Sequence, residues 1–516
     1  MILDRTKNSI RNILFGYINR LLCMLCPFFI RTVMIHTLGT EYLGLNSLFS
    51  SILQVLNLAE LGFSSAIVFN MYKPIANNDT VIICALLSIY RKIYRIVGIV
   101  ILVLGIFIMP FLNIFIAGTY PQNVNLYVIY FIYLLNTVLS YELFAYKSAL
   151  LEAHQRTDIE SNLASLTNSF MYIIQIVVLI CFKNYYMYLI IMPVFTVILN
   201  FIRAFIVKRQ FPEYFPKGNS NKKLQSEIFI KVKALIIYKV GNVVSNAVDN
   251  LVISAFLGLN ILAVYNNYYY IISALFSFLM IYYNAVKAGI GNSIILHSIE
   301  KNYKDFESFF FAQSWIVGWV SICLLCLFQD FMAVWMGEKL LLPYKLVILF
   351  VIYFYTWKIH DVVHTYKDAL GMWEEDKYRP LISSGINLLG NLILVKFVGL
   401  YGIVLSTIIS ETFVTMPWAP SVLYKMYFKK RTKIYYLQLL KYVAGNFTAG
   451  IFTFIICWFI PVNSIVQLAV KTIICIIIPN IIFLYIYRNN ENLQKIKSVL
   501  INPILNHFKK NYYSDK

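Results

Sequence analysis

The chain has 516 residues, of which 60% are hydrophobic and only 13% are charged, about half the charged share of an ordinary soluble domain. With a mean hydropathy of +0.70 it cannot cover a core with polar surface, which excludes a soluble enzyme, a disordered chain and a disulfide scaffold. Lys and Arg number 44 against 24 Asp and Glu, a formal charge of +20. In a membrane protein that excess reports first on which loops face the cytoplasm, not on a nucleic-acid partner.

A spanning helix needs about 20 apolar residues. Fourteen such segments follow in chain order: 12–37, 43–70, 93–117, 124–146, 160–182, 185–207, 234–256, 260–290, 307–330, 344–370, 381–397, 400–424, 440–461 and 464–487. The chain is therefore read as an all-α polytopic membrane protein. The connections at 38–42, 183–184 and 462–463 are short enough to make their neighbours antiparallel hairpins. An even count puts both termini on one side. Loops on that side carry Lys73, Arg91, Lys92, Arg95, Arg156, Lys208, Arg209, Lys222, Lys223, Lys377, Arg379, Lys429, Lys430, Arg431 and Lys433, and the other side carries little beyond Lys183, Lys339 and Lys345. The positive-inside rule makes both termini cytoplasmic. No cleavable signal peptide is expected, because the first apolar run lacks a small-residue cleavage site. Residues 79–95 read as a basic, half-apolar helix that enters the third span along the lipid interface.

The longest polar stretch, 208–232, contains Pro212, Pro216 and Gly218 and reads as a cytoplasmic linker. It divides the chain into an N-terminal six-helix lobe (1–207), a C-terminal six-helix lobe (233–424), and a last segment (425–516) with a basic loop, two spans and a tail. The lobes repeat. Leu38-Gly39 and Leu43-Gly44-Leu45 return as Leu257-Gly258 and Leu262-Ala263-Val264, 219 residues later. Tyr146-Lys147-Ser148-Ala149-Leu150, at the end of the fourth span, returns as Tyr366-Lys367-Asp368-Ala369-Leu370 at the end of the tenth. Six spans per lobe keep the orientation, so the repeat is parallel.

Ionisable groups inside lipid cost several kcal/mol and normally face a cavity. Arg20, Arg31, Arg203 and Lys358 are read as the basic residues left inside the spans. Arg203 lies near enough to the inner end to snorkel. Arg20 and Arg31 stand eleven residues apart on one helix face, roughly 16 Å along the axis, a spacing of guanidiniums that suits a pyrophosphate. Lys358 lies inside the tenth span, three residues from Asp361. Asn266, Asn267 and Asn284 point to a polar lining in the eighth span, where Tyr268-Tyr269-Tyr270 and Tyr282-Tyr283 are either sugar contacts or interface belts. Glu60, Glu142, Asp249 and Glu411 are intramembrane carboxylates that either carry a coupling ion or neutralise a cation.

Two motifs carry less. His360-Asp361-Val362-Val363-His364 has the histidine spacing of a zinc helix, but Asp is a short general base and no third ligand accompanies it, so these are read as polar cavity residues or a proton-sensitive pair. Cys23/Cys26 and Cys323/Cys326 are CxxC pairs in apolar runs. They read as small packing residues, since thiolate chemistry needs an accessible, electropositive site.

The run Leu38-Gly39-Thr40-Glu41-Tyr42-Leu43-Gly44-Leu45-Asn46, then Ala59-Glu60-Leu61-Gly62-Phe63, then Met71-Tyr72-Lys73-Pro74-Ile75-Ala76 resembles the amino-terminal signature of polysaccharide repeat-unit flippases. These capsule and O-antigen transporters belong to the multidrug/oligosaccharidyl-lipid/polysaccharide exporter superfamily. The resemblance implies that undecaprenyl-pyrophosphate-linked oligosaccharides cross the bacterial cytoplasmic membrane by alternating access of two lobes, with a polymerase and glycosyltransferases as pathway partners and no cofactor. It also makes spans thirteen and fourteen similar to the extra pair that forms a lipid-tail groove in lipid II flippases. A sodium site known in some of those flippases matches Asp249, Asn387, Asn391 and Thr407, with the departure that Asn391 stands where that pattern has Asp. Coupling to Na+ or H+ stays open, with Glu60 and Asp361 as further candidates. A cation-coupled drug antiporter of the same superfamily and a membrane enzyme such as a repeat-unit polymerase are the alternatives. The basic first span disfavours the first, and the short outer loops disfavour the second.

Overall fold

The structure is a computed structural model and describes residues 21, 24–57, 63–218, 247–462 and 464–495. The regular structure among them is helical, with no strand. In hydrocarbon every backbone N–H and C=O must be satisfied within the segment, and helices do this. The described residues fall into two compact units, Met1–Asn266 and Asn267–Lys516. The first holds α1 (Met24–Thr37), α2 (Thr40–Leu56), α3 (Phe63–Ala76), α4 (Thr80–Ile108), α5 (Leu126–Glu142), α6 (Ser148–Ala153), α7 (Thr157–Phe182), α8 (Tyr185–Gln210), α9 (Ala247–Leu257) and the start of α10 (Leu259–Leu296). The second holds the rest of α10, α11 (Ile299–Met336), α12 (Tyr344–Lys358), α13 (Asp361–Leu370), α14 (Arg379–Val398), α15 (Leu400–Ser410), α16 (Met416–Val422), α17 (Lys433–Trp458) and α18 (Ile465–Ile486). Two π-helical stretches, Glu411–Thr415 and Leu423–Phe428, flank α16.

Ten of the described helices are long and apolar enough to cross a membrane, eleven when α5 and α6, bent by 46°, count as one span. The remaining expected spans, 12–37, 43–70 and 234–256, coincide with α1, the α2–α3 pair and α9, each of which runs into residues outside those described. Short polar residues set the starts. The side chains of Asp79, Asn125, Asn184, Ser298 and Ser464 each accept a hydrogen bond from a first-turn backbone N–H, which satisfies donors the helix cannot. As expected, residues 80–95 form a helix that enters the third span: Asp79 caps one continuous helix, Thr80–Ile108.

The repeat is visible as paired local structure. Gly39 (φ 111°) and Gly258 (φ 88°) each launch a helix from a left-handed backbone that favours glycine. Within the first unit the two copies meet: Thr40 Oγ1 donates to Asn260 Oδ1 at 2.5 Å, and Gly44 packs directly on Leu259. Each copy of the Tyr-Lys-x-Ala-Leu motif follows a helix break, one after α5 and one after α12, and both tyrosines are buried. At the head of the linker, Phe211 and Tyr214 pack on His154 with ring centroids at 4.3 and 5.7 Å. Burial there holds the His154 pKa below its ordinary value and keeps the ring neutral.

The α14–α15 hairpin turns at Gly399, and small residues let its backbones approach. A Cβ on Gly402 would stand 2.5 Å from the Leu394 carbonyl carbon, whereas one on Gly385 meets nothing within 4 Å. Gly402→Ala is therefore expected to destabilise by about 1–3 kcal/mol and Gly385→Ala to be neutral or slightly stabilising. Thermal unfolding of the two variants in detergent checks this, and equal midpoints would contradict the close-packed hairpin.

Candidate functional site

The polar centre of the second unit forms where the tenth span breaks. α12 ends at Lys358, and His360 leaves helical geometry (φ −111°, ψ 11°) before α13 begins. The break frees carbonyls that a continuous helix would use. Gln313 of α11 donates its Nε2 to the freed Lys358 carbonyl. The Lys358 side chain is 5% exposed. Its Nζ donates to Asp361 Oδ2 at 2.8 Å and lies 4.3 Å from the centre of the Phe276 ring. An ammonium out of water needs such a carboxylate and a ring face. Lys358 and Asp361, both expected site residues, are thus brought together as an ion pair.

A second polar layer joins this break to the irregular twelfth span. His360 Nε2 lies 3.5 Å from Glu411 Oε2, at the start of the first π-helical stretch. Its Nδ1 is buried without a partner among the described residues. His364 sits edge-on to His360, ring centroids 5.5 Å apart. The carboxylate on His360 is thus Glu411, and Asp361 is taken by Lys358. π-Helical turns often mark functional positions because they shift side chains out of register.

One turn further on, charges cluster that the sequence reading left in a motif and a loop. Lys367 pairs with Asp376. Arg379 Nε donates to both Asp376 oxygens at 3.0 and 2.9 Å, and its Nη1 donates to Thr415 Oγ1 at 3.3 Å. All three charged residues are buried. Lys287 pairs with Asp368 at 3.0 Å at a more open position. The recurrence of Lys367 in the repeated motif, with Asp376 and Arg379 spaced i, i+3, was the available signal. Arg379 therefore belongs to a buried triad, not to the exposed basic loop expected of it.

The other expected residues separate. Arg20 and Glu60 lie outside the described residues. Arg31 is half-buried on α1, near enough to the Tyr188 phenol to act on it electrostatically. Tyr133, beside it, donates to Asn46 Oδ1 at 2.5 Å. The adjacent asparagines of α10 diverge: Asn266 Nδ2 donates to Asn250 Oδ1 at 3.0 Å, and Asn267 is bonded to Met336 Sδ at 3.7 Å. Tyr268 is buried and donates to Gln329 Oε1 at 2.9 Å, which makes it a packing residue. Asn387, Asn391 and Thr407 do come together. Asn387 Nδ2 donates to Thr407 Oγ1 at 2.8 Å, Asn391 Nδ2 donates to Asn387 Oδ1 at 3.4 Å, and Ser406 donates to Asn391. This trio is uncharged. Asp249 is half-buried on α9 in the first unit.

Two intramembrane pairs differ from expectation. Arg203 does not snorkel: its Nε donates to both Glu160 oxygens at 3.0 and 3.1 Å, across α7 and α8. Lys471, absent from the expected set, donates to Asp330 at 2.6 Å and joins α18 to α11. Outside these clusters, a groove of about 610 Å³ runs beside the π-helical stretches, lined by Phe413, Pro417, Trp418 and Met426 with Lys425 at one side.

The buried triad generates a stability prediction. Asp376→Asn leaves Lys367 and Arg379 without their shared carboxylate and is expected to cost about 3–5 kcal/mol. Glu374→Gln, whose side chain is 74% exposed, is expected to stay within about 0.5 kcal/mol. Thermal unfolding of the purified variants distinguishes them, and an unshifted Asp376→Asn midpoint would contradict the triad.

No protein-family model matches the chain, and no curated protein matches it by sequence. Solved structures do match by fold. The lipid II flippase MurJ in an inward closed conformation aligns with a TM-score of 0.65 at 15% identity, covering 92% of this chain and 98% of its own. An inward-facing multidrug resistance MATE family transporter of the MOP superfamily aligns with a TM-score of 0.55 at 14% identity, covering 78% of this chain and 96% of its own. A eukaryotic MATE transporter, AtDTX14, aligns with a TM-score of 0.52 at 12% identity, covering 83% and 98%. This multi-pass membrane protein has the fold that MurJ and the MATE transporters share.

Proposed function

We propose that the protein flips undecaprenyl-pyrophosphate-linked oligosaccharide repeat units across the bacterial cytoplasmic membrane for surface polysaccharide synthesis. The observation that carries this reading is the reach of the fold match. The lipid II flippase accounts for 92% of the chain and the MATE transporters for 78–83%, and the chain has a terminal helix pair, α17–α18, packed along α11. A cargo with a long polyprenyl tail gives such a pair a use that a small drug does not. Basic side chains inside the spans favour an anionic cargo over a cationic one.

The cycle is alternating access of two lobes, 1–207 and 233–424, with 208–232 as cytoplasmic linker and both termini cytoplasmic. Arg20 and Arg31 hold the pyrophosphate through charge-assisted hydrogen bonds. Lys358 joins them by exchanging Asp361 for a phosphate oxygen, so the cation stays neutralised through the exchange. Asn266 and Asn267 give the sugars hydrogen-bonding partners while the tail stays in lipid. The pathway partners are a polymerase and glycosyltransferases that use the same lipid-linked unit.

Arg31→Ala and Lys358→Gln are each expected to cut surface polymer about tenfold or more, the scale of one lost charged hydrogen bond, with membrane protein levels unchanged. Immunoblots of polymer and of protein check this. Wild-type polymer from both variants would remove the pyrophosphate assignment.

A further inference from the structure

α11, α17 and α18 bring three thiols to one point in the second unit. Cys326, Cys457 and Cys475 each come from a different helix, and their Sγ atoms all lie within 4.8 Å of one another. Cys457 and Cys475 are 3.6 Å apart, and all three are unpaired by disulfide and buried, at 6%, 1% and 0% exposure. Their surroundings are apolar, formed by Ile322, Ala449 and Phe483. Spacing along the chain gives no sign of this. Cys326 belongs to a CxxC, but its partners come from helices far away in sequence, and Cys323 turns aside to the Cys475 carbonyl at 3.5 Å.

Three metal–sulfur bonds of about 2.3 Å at trigonal angles place the sulfurs about 4 Å apart. The Cys457–Cys475 separation of 3.6 Å is close to that figure, and all three sulfurs lie within 4.8 Å of one another. Zinc prefers a fourth ligand, and the nearest carboxylate one turn along, Asp330, is held by Lys471 at 2.6 Å. An all-sulfur, three-coordinate site selects a soft monovalent cation. The thiolate, not the thiol, binds a metal, so loading the site releases the thiol protons to solvent. The Lys471–Asp330 pair, with Lys471 one turn from Cys475, is the polar group beside the charge that remains.

We propose that Cys326, Cys457 and Cys475 form a binding site for a soft monovalent cation, Cu(I), that ties α17 and α18 to α11. The site is independent of the transported substrate. The reduced full-length protein in detergent, titrated anaerobically with Cu(I) against a chromophoric chelator, is expected to hold one equivalent. X-ray absorption at the copper edge is expected to show three sulfurs and no nitrogen or oxygen. Cys326→Ser, Cys457→Ser and Cys475→Ser should each lose that equivalent, and Cys181→Ser, at an exposed cysteine of α7, should keep it. Absence of copper uptake after full reduction overturns the proposal, as does copper that survives all three substitutions. Nitrogen or oxygen in the wild-type first shell overturns it without recourse to any variant.

Discussion

A charge taken out of water must be matched, and this constraint organises the structure. Lys358 meets Asp361, Arg203 meets Glu160, Lys471 meets Asp330, and Lys367 and Arg379 share Asp376. Each pair links different segments or closes a break within one. Isolated buried ions cost several kcal/mol, so the pairs fix which helix faces meet. Arg203 ties α8 to α7, Lys471 ties α18 to α11, and the Asp376 triad ties α13 to the start of α14.

The same constraint makes the break in the tenth span a natural centre of function. A continuous helix buries its own polar groups. Here the chain stops at Lys358, restarts at Asp361, and places Gln313, His360 and Glu411 around the gap. In the proposed cycle an anionic ligand takes the place of the carboxylate, so the ammonium is not left bare. The irregular twelfth span supplies Glu411 and Thr415 to the same region from a π-helical stretch.

Spans were legible because apolar length alone defines them. Eleven of the fourteen segments coincide with membrane-length described helices, the described parts of the other three are helical, and the Gly39 and Gly258 launches follow from the repeat. Lys358–Asp361 was legible too, since i, i+3 on one helix is a local relation. Arg203–Glu160, Lys471–Asp330 and the thiol cluster were not, because each depends on which faces of separate helices meet. The Asn387–Asn391–Thr407 network lies between. Its members were named through a resemblance, and the close backbone approach at Gly402 shows why they touch: α14 and α15 pack tightly enough for amide and hydroxyl groups to bond directly.

The central claim is transport of a lipid-linked repeat unit, and the leaflet that holds this intermediate tests it most directly. In cells depleted of the protein, lipid-linked single repeat units should accumulate on the cytoplasmic side, inaccessible to a membrane-impermeant sugar-modifying enzyme added outside. Units found already exposed on the outer face but unpolymerised would contradict the account and place the protein after the crossing step.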